Sequence, residues 1–489
     1  MVFSLIIMYN NKEGIDFMDF NRPNLQKARK RTDKSIDIIN FKLDDKYKDL
    51  GLNKKYNVIT FGCQGNEADS EVMSGILEMM GFTHSEKEDA DVLIINTCAI
   101  RENAEDRFYG TVGGLKALKQ KKKDMIICIC GCMAQEEKTI TKILEKYPQI
   151  DVVFGTHNIH MLPEYIYKQM ETNKRVIEVY SEEGNIIEKL PHIRLSNKKA
   201  WVNIMFGCDE FCTYCIVPYT RGKERSRRPQ EIIREVEDLV KNGYLEVTLL
   251  GQNVNAYGKD FKDIDYTFSN LLLDLSDTGI KRIRYTTSHP RDLDEATMKA
   301  MQRENIMPHL HLPVQSGSNA VLKKMNRKYT HEEYLEKIKR LKELNPGISI
   351  TTDIIVAFPT ETEEDFLETL KLCEEVDYEG AFTFIYSPRE GTPAAKYENN
   401  ITDEEAHRRL DILHDKINAG YLKGNKRFEG KIVKVLVDGT SKNDPNTLCG
   451  YSEHNKLVNF KGNVNAIGTI VNVKITEAKT WFLIGEQVE

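Results

Sequence analysis

Twice along the chain a short run of β-branched residues ends in a glycine or polar turn and gives way to a helical stretch, and no other feature narrows the fold as much. The first series holds Tyr56–Thr60, Asp91–Ile95 and Met125–Ile129, with helices expected near 67–80, 101–120 and 134–146. Strand-then-helix alternation builds a parallel sheet with helices on both faces, here an amino-terminal α/β domain over 55–172. The second series is longer, with strands near 200–206, 245–250, 282–286, 309–314, 350–356 and 381–386 separated by amphipathic helices such as 229–242 and 331–344. Six units predict a partial (α/β)6 barrel over 194–425, whose active site belongs at the carboxyl ends of its strands. A charged linker over about 171–195 joins the two. After residue 425 the pattern changes to β runs at Lys431–Val437, Gly468–Lys474 and Trp481–Ile484, which predict a small β-barrel over 426–489. Residues 1–54 are expected to be a flexible extension whose basic cluster Lys27–Arg31 is a solvated tail.

A chain of 489 residues with 40% hydrophobic and 29% charged side chains accommodates about three globular domains and excludes whole-chain disorder. The apolar run Val2–Met8 lacks a basic flank and is too short to span a bilayer, so no secretory or membrane segment is expected. The net charge is −6, yet residues 421–489 carry ten Lys plus Arg against seven Asp plus Glu, a local balance of +3. Ten cysteines without an export signal point to metal or redox chemistry in the cytosol, where ordinary thiols stay reduced.

The cysteine positions are sharper than their number. Cys208, Cys212 and Cys215 form a CxxxCxxC loop directly after the first barrel strand. A four-iron cluster usually takes one cysteine per iron, so three thiolates leave one iron open to a small molecule. A zinc site would need a fourth Cys or His, and His192 and His289 are distant in sequence. Cys63, Cys98 and Cys132 each follow a predicted strand, 35 and 34 residues apart. Parallel strands end on one edge, so these three converge where open α/β sheets bind ligands. They can hold a second three-thiolate cluster; the competing reading is three unrelated reduced cysteines. Matching positions after successive strands favour the cluster. Cys128 and Cys130 lie inside the third strand and read as buried small hydrophobes; Cys373, in a predicted helix, and Cys449, in a turn, have no spaced partners.

The CxxxCxxC loop after the first strand of six resembles the radical S-adenosylmethionine superfamily, in which the open iron holds S-adenosylmethionine and reduction cleaves it to a 5′-deoxyadenosyl radical. By the same resemblance Tyr214 packs near the adenine. Two triads, a barrel and a terminal β domain together are similar to the methylthiotransferases, from about residue 55 to the end. The match is carried by Phe154-Gly-Thr-His-Asn158, Tyr219-Thr-Arg-Gly-Lys-Glu224, Leu250 to Gly258, Thr287-Ser-His-Pro290, His311 to Ser318 and Tyr386 to Pro393. Within that family Gly251-Gln-Asn-Val-Asn255 resembles the branch acting on N6-dimethylallyladenosine in tRNA, next to the anticodon. Gly251, Gln252 and Asn253 are then cofactor-binding residues.

The resemblance implies two [4Fe-4S] clusters and two uses of S-adenosylmethionine. One molecule methylates sulfur at the Cys63, Cys98 and Cys132 cluster. Another is cleaved at the catalytic Cys208, Cys212 and Cys215 cluster, and the radical removes hydrogen from C2 of the prenylated adenine. It implies as well that the terminal domain is a TRAM-like RNA-binding module, in which Phe460, Trp481 and Phe482 are candidates to stack bases. A tRNA partner, no membrane partner and a monomer are expected, with the reductant and sulfur donor unidentified. Lys121–Lys123 reads as a solvated helix end. Competing readings are methylthiolation of a threonylcarbamoyl adenosine or a ribosomal protein aspartate, and an iron–sulfur RNA-binding sensor without turnover. Two positions depart from the family: Ala357 and Thr360 stand where glycine is common, and Glu390 stands where proline is frequent.

Overall fold

The computed structural model describes residues 22–30, 36–99, 102–442 and 444–489. The amino-terminal sheet has six parallel strands, in spatial order Thr83–His84, Lys55–Phe61, Val92–Thr97, Ile126–Gly131, Val152–Phe154 and Val176–Glu178. Side chains alternate across a strand, so Leu93 and Ile95 enter one core while Val92 and Ile94 enter the other. Helices Glu102–Lys121 and Glu137–Lys146 cover the first face; Gln64–Met79 and Leu162–Thr172 cover the second. The two central strands are buried throughout, which is why they read as unbroken apolar runs. Thr83–His84, Val152–Phe154 and Val176–Glu178 were not expected. At two or three residues they are too short to display a period, and the last lies in the stretch read as linker.

Residues 36–54 correct the expectation of a flexible extension. Ile38–Asn40 pairs in parallel with Ile186–Glu188, and Leu43 and Tyr47 are buried in the core of the sheet domain. The short helix Leu25–Arg29, capped by Asn24, buries Ala28 against the opposite core, and Arg29 lies over the Tyr219 ring, 5.5 Å from its centroid. The rest of the expected extension, residues 1–21 and 31–35, lies outside the described residues, as does Arg31 of the basic cluster.

The six expected barrel strands are Lys199–Asn203, Glu246–Leu250, Arg282–Tyr285, His309–His311, Ser349–Val356 and Ala381–Ile385. They form two parallel three-stranded sheets joined by the bridge between Ile283 and Ile306. Among the described residues the first and last strands do not pair, so the barrel stays open along one side. After the fifth strand, Ala357 and Thr360 have φ of 57° and 73°, the left-handed region that disfavours a Cβ. Glycine is common there in the resembled family for that conformational reason. Exposed Thr360→Gly is expected to raise stability by about 0.5–1 kcal/mol, read as a higher unfolding midpoint.

The terminal domain is a closed five-stranded barrel: Ile432–Ser441, Asp444–Ser452, Leu457–Lys461, Leu483–Val488 and Ile470–Ala478 in spatial order. The second and third of these were not expected, because Pro445, Gly450 and the Glu453–Asn455 turn break their apolar pattern. Phe460 is core, Phe482 is half-buried and Trp481 is exposed, its indole donating to Asn418 Oδ1 at 3.2 Å. The domain closes the amino-terminal end of the partial barrel. Arg282 donates to the carbonyls of Tyr451 and Lys434 at 2.9 and 2.8 Å, and Arg284 donates to those of Ser452 and Glu453. Lys456 pairs with Glu379 at 2.9 Å. Arg282 is 2% exposed; Arg282→Met removes two part-buried hydrogen bonds across the domain contact and is expected to cost about 2–3 kcal/mol. The loss is measurable as a lower unfolding midpoint and faster proteolytic release of the terminal barrel.

Candidate active site

The three amino-terminal cysteines stand at the carboxyl ends of adjacent parallel strands. Cys63 follows Lys55–Phe61 and caps helix Gln64–Met79 without a side-chain capping bond; Cys98 follows Val92–Thr97; Cys132 follows Ile126–Gly131 and opens a tight turn. Gly131 has φ of 103°, and a Cβ there would sit 2.2 Å from the Thr97 carbonyl oxygen, so only glycine lets the third strand end this close to the second. Asn66 donates to Asn96 Oδ1 and to the Thr97 carbonyl, each at 3.0 Å, and Asn96 donates back to the Asn66 carbonyl at 2.8 Å. This buried amide pair locks the first helix to the second strand and sets Cys63 beside Cys98.

A hydrogen bond with Cys98, helped by the charge of Arg221, brings the Cys63 thiol down to about 5 against the opposing effect of burial. Burial pushes Cys132 up, while Arg221 opposes it by donating from Nε to Cys132 Sγ at 3.3 Å. Arg221 also donates to Asp69 Oδ2 at 2.7 Å. It comes from the barrel domain, so this one buried guanidinium ties the two domains together at the thiols.

The second triad occupies the loop after the first barrel strand. Gly207, at φ 79°, would place a Cβ 2.0 Å from the Lys223 carbonyl oxygen, and its N–H donates to Gln252 Oε1 at 2.6 Å. The Cys208 N–H donates to the Gly222 carbonyl at 3.1 Å, and that of Cys215 to the Cys212 carbonyl at 3.0 Å, closing the turn that carries the last two thiols. Arg327 donates from Nη1 to Cys212 Sγ at 3.4 Å and from Nη2 to the Pro313 carbonyl at 2.8 Å. Burial, then the charge of Cys212, pushes the Cys215 thiol up to about 12; burial and the neighbouring thiols raise Cys208 as well. Three neighbouring thiols whose charged forms oppose one another are a donor set suited to a cation, since metal ligation requires and stabilises the thiolates. Each triad has its own buried arginine on one sulfur, which offsets part of that negative charge.

Around the second triad, Tyr214 packs with Val321, Met325, Phe358, Ala394, Ile355 and Tyr386. Gly251 is close-packed, since a Cβ would meet Met205 Cγ at 2.6 Å. Gln252 holds the loop, as described, and Asn253 donates to Asp292 Oδ2 at 2.6 Å. Asn253 Oδ1, both polar atoms of the Asn255 amide and Ser288 Oγ are buried without a hydrogen-bond partner among the described residues. Buried polar atoms are normally satisfied, so this cluster past the second and third strands fits a site where the polar groups of a cofactor would complete the hydrogen bonding. Glu210, His289 and Asp292 also meet there. Burial, reinforced by Arg327, keeps His289 neutral; Arg291 pairs with Glu210 and Lys259 pairs with Asp292. Arg221, Arg327 and Asp69 were missed at the level of sequence. The only signal available was the position of Arg221 inside the Tyr219–Glu224 motif.

The loop that carries the second triad packs against the sheet edge that carries the first, across the domain boundary. Cys132, Met133, Ile59 and Phe61 share a core with Phe211, Ile216 and Tyr219 of the barrel loop, and Thr156 Oγ1 donates to the Thr220 carbonyl at 2.7 Å. Of the remaining four cysteines, Cys128 and Cys130 are buried in the central strand, with Cys130 near Cys132 and the Asp69–Arg221 pair; Cys373 is buried in a helix, and Cys449 is half-buried in a strand of the terminal barrel, not in the expected turn. No helix among the described residues is long and apolar enough to cross a membrane.

A partial barrel with a CxxxCxxC loop at the end of its first strand, packed on a sheet domain with a second cysteine triad, belongs to the class of radical S-adenosylmethionine enzymes. Family models agree piece by piece: the radical SAM superfamily matches residues 202–373, uncharacterized protein family UPF0004 matches 55–155, and the TRAM domain matches 426–488. The chain is 54% identical over 473 residues to tRNA-2-methylthio-N(6)-dimethylallyladenosine synthase of Bacillus cytotoxicus, covering 96% of this chain and 93% of that one. It is 53% identical to the protein of the same name from Bacillus subtilis, covering 95% and 92%. The chain belongs to the tRNA-2-methylthio-N(6)-dimethylallyladenosine synthase family. Among solved structures, the radical S-adenosylmethionine methyltransferase TsrM from Kitasatospora setae, with cobalamin and a [4Fe-4S] cluster bound, shares the fold at a TM-score of 0.52 and 13% identity, over 70% of this chain and 77% of that one.

Proposed function

We propose that this chain places a methylthio group on C2 of N6-dimethylallyladenosine in tRNA, next to the anticodon. What supports the reading is a barrel loop with three cysteines packed against a sheet edge with three more, joined by Arg221, in a chain of this family. The enzyme uses S-adenosylmethionine and [4Fe-4S] clusters. We assign one cluster to Cys208, Cys212 and Cys215 and the other to Cys63, Cys98 and Cys132. When bound, the first supplies reductive cleavage of S-adenosylmethionine for hydrogen removal, and the second supplies an iron site for the sulfur to be transferred.

The chain's own residues hold, orient and insulate. Arg221 and Arg327 fix one sulfur of each triad and balance its charge. Gln252 holds the cluster loop through Gly207, and Asn253 Oδ1 and the Asn255 amide, which have no partner among the described residues, are offered to cofactor polar groups. Tyr214 lies in the apolar wall behind the loop, which keeps water from that side. The TRAM domain, with its basic balance and exposed Trp481, contacts tRNA phosphates and bases. The target base leaves its stack to reach the barrel mouth. The enzyme works in the cytoplasm as a monomer.

Anaerobic incubation of cluster-reconstituted protein with reductant, sulfide, S-adenosylmethionine and prenylated tRNA, followed by nucleoside mass spectrometry, tests the reading. A methylthio gain on the prenylated adenosine is expected. Formation of 5′-deoxyadenosine without that product would move the substrate elsewhere.

A further inference from the structure

We propose that Phe382 and Phe384, on the inner face of the last barrel strand, form the subsite that grips the dimethylallyl chain of the target adenosine; this deepens the functional reading above and rests on it. Strand Ala381–Ile385 turns Ala381 and Ile385 toward the core it shares with the outer helices. Thr383 Oγ1 meets His414 Nε2 at 2.7 Å on helix Asp403–Lys426, which covers the same outer side. Period-two alternation therefore points the two phenylalanines into the lumen. Rings inside a small barrel are normally packed by neighbouring side chains. Phe382 is instead 60% exposed and Phe384 43%, because this strand borders the unpaired side of the barrel.

The pair is continuous with the cofactor site. Phe384 lies in register with Ile355, which belongs to the apolar group around Tyr214, the neighbour of Cys215. Phe382 lies beside Asp353 in the strand register and meets the His311 ring at a centroid distance of 5.9 Å. The lumen floor is closed by the terminal barrel through Arg284, so a ligand reaches these rings from the open side or from the carboxyl end. Two exposed aromatic faces beside the Asp353 carboxylate suit a flat, uncharged, unsaturated carbon chain and repel a phosphate. In adenine, N6 is one ring atom removed from the position flanking C2, so a base with C2 turned to the clusters can lay its N6 substituent along this strand.

Equilibrium binding of the reconstituted enzyme to two tRNAs that differ only in the dimethylallyl group tests the proposal. The wild-type chain is expected to bind the prenylated tRNA at least about tenfold more tightly, as burial of a few apolar carbons implies. Phe382→Ala and Phe384→Ala should draw the two Kd values together by weakening only the prenylated complex, while Phe384→Leu keeps most of the preference. Both rings are exposed, so truncation leaves the fold intact, and 5′-deoxyadenosine formation without tRNA reports an undamaged cofactor site. No preference in the wild type, an undiminished preference in both alanine variants, or equal weakening of both tRNAs would overturn the proposal. Failure of the functional reading is scored on the same preparation by nucleoside mass spectrometry: methylthio product without a binding preference refutes the subsite alone, whereas no methylthio product on prenylated tRNA refutes the reading.

Discussion

Alanine at any one of Cys208, Cys212 or Cys215 abolishes both 5′-deoxyadenosine formation and methylthiolation, whereas alanine at Cys63, Cys98 or Cys132 abolishes methylthiolation and leaves cofactor cleavage measurable. The asymmetry follows from the architecture. The barrel triad sits on a loop held by Gly207, Gln252 and Arg327, all within the barrel domain. The other triad is built on the edge of a separate sheet, and its amide lock of Asn66 and Asn96 is internal to that sheet. Loss of one thiolate from a three-thiolate site removes a third of its anchoring and opens a second iron. Methylthiolation should fall by at least about a thousandfold in every variant, the scale on which removing a chemically essential group acts. Parallel assays of 5′-deoxyadenosine and methylthio product on one preparation check this. Retention of methylthio product in the Cys63, Cys98 and Cys132 variants would remove that triad from the reaction.

Arg221→Met is expected to produce the next largest effect. Arg221 is 7% exposed, and its guanidinium serves Asp69 Oδ2 at 2.7 Å and Cys132 Sγ at 3.3 Å from the opposite domain. Removing the cation strands the Asp69 carboxylate in a buried site, a loss of about 3–5 kcal/mol for a broken buried pair. The double variant Arg221→Met with Asp69→Leu should recover much of that stability, because a buried ion pair replaced by apolar groups is often neutral. It should not recover methylthiolation, since Cys132 still lacks its cationic neighbour. Thermal unfolding and iron content of the two variants separate these effects; stability unchanged in the single variant would show that the pair does not hold the domains.

Much of this was legible before any coordinates because its signals are local. The six barrel strands lie where β-branched runs alternate with amphipathic helices, and both cysteine triads were visible as positions that follow strands. What was hidden depends on contacts between distant segments. Ile38–Asn40 is a strand only because Ile186–Glu188 pairs with it, and Tyr47 is buried only because the sheet domain receives it. Arg221 and Arg327 resemble any surface arginine until the fold buries them against sulfur. Ala357 and Thr360 could be flagged as departures, yet their left-handed backbone was visible only in the structure. Phe382 and Phe384 alternate as in any strand; that their side of the strand is unfilled follows from a barrel that does not close.

The most direct test of the central claim, two three-thiolate clusters held by separate domains, is Mössbauer spectroscopy with iron and sulfide quantification on three reconstituted proteins: the wild type, the triple alanine variant of Cys63, Cys98 and Cys132, and that of Cys208, Cys212 and Cys215. The account predicts [4Fe-4S] signal in all three, with each triple variant retaining about half of the wild-type iron. Full iron in either variant, or loss of all cluster signal in both, would contradict it.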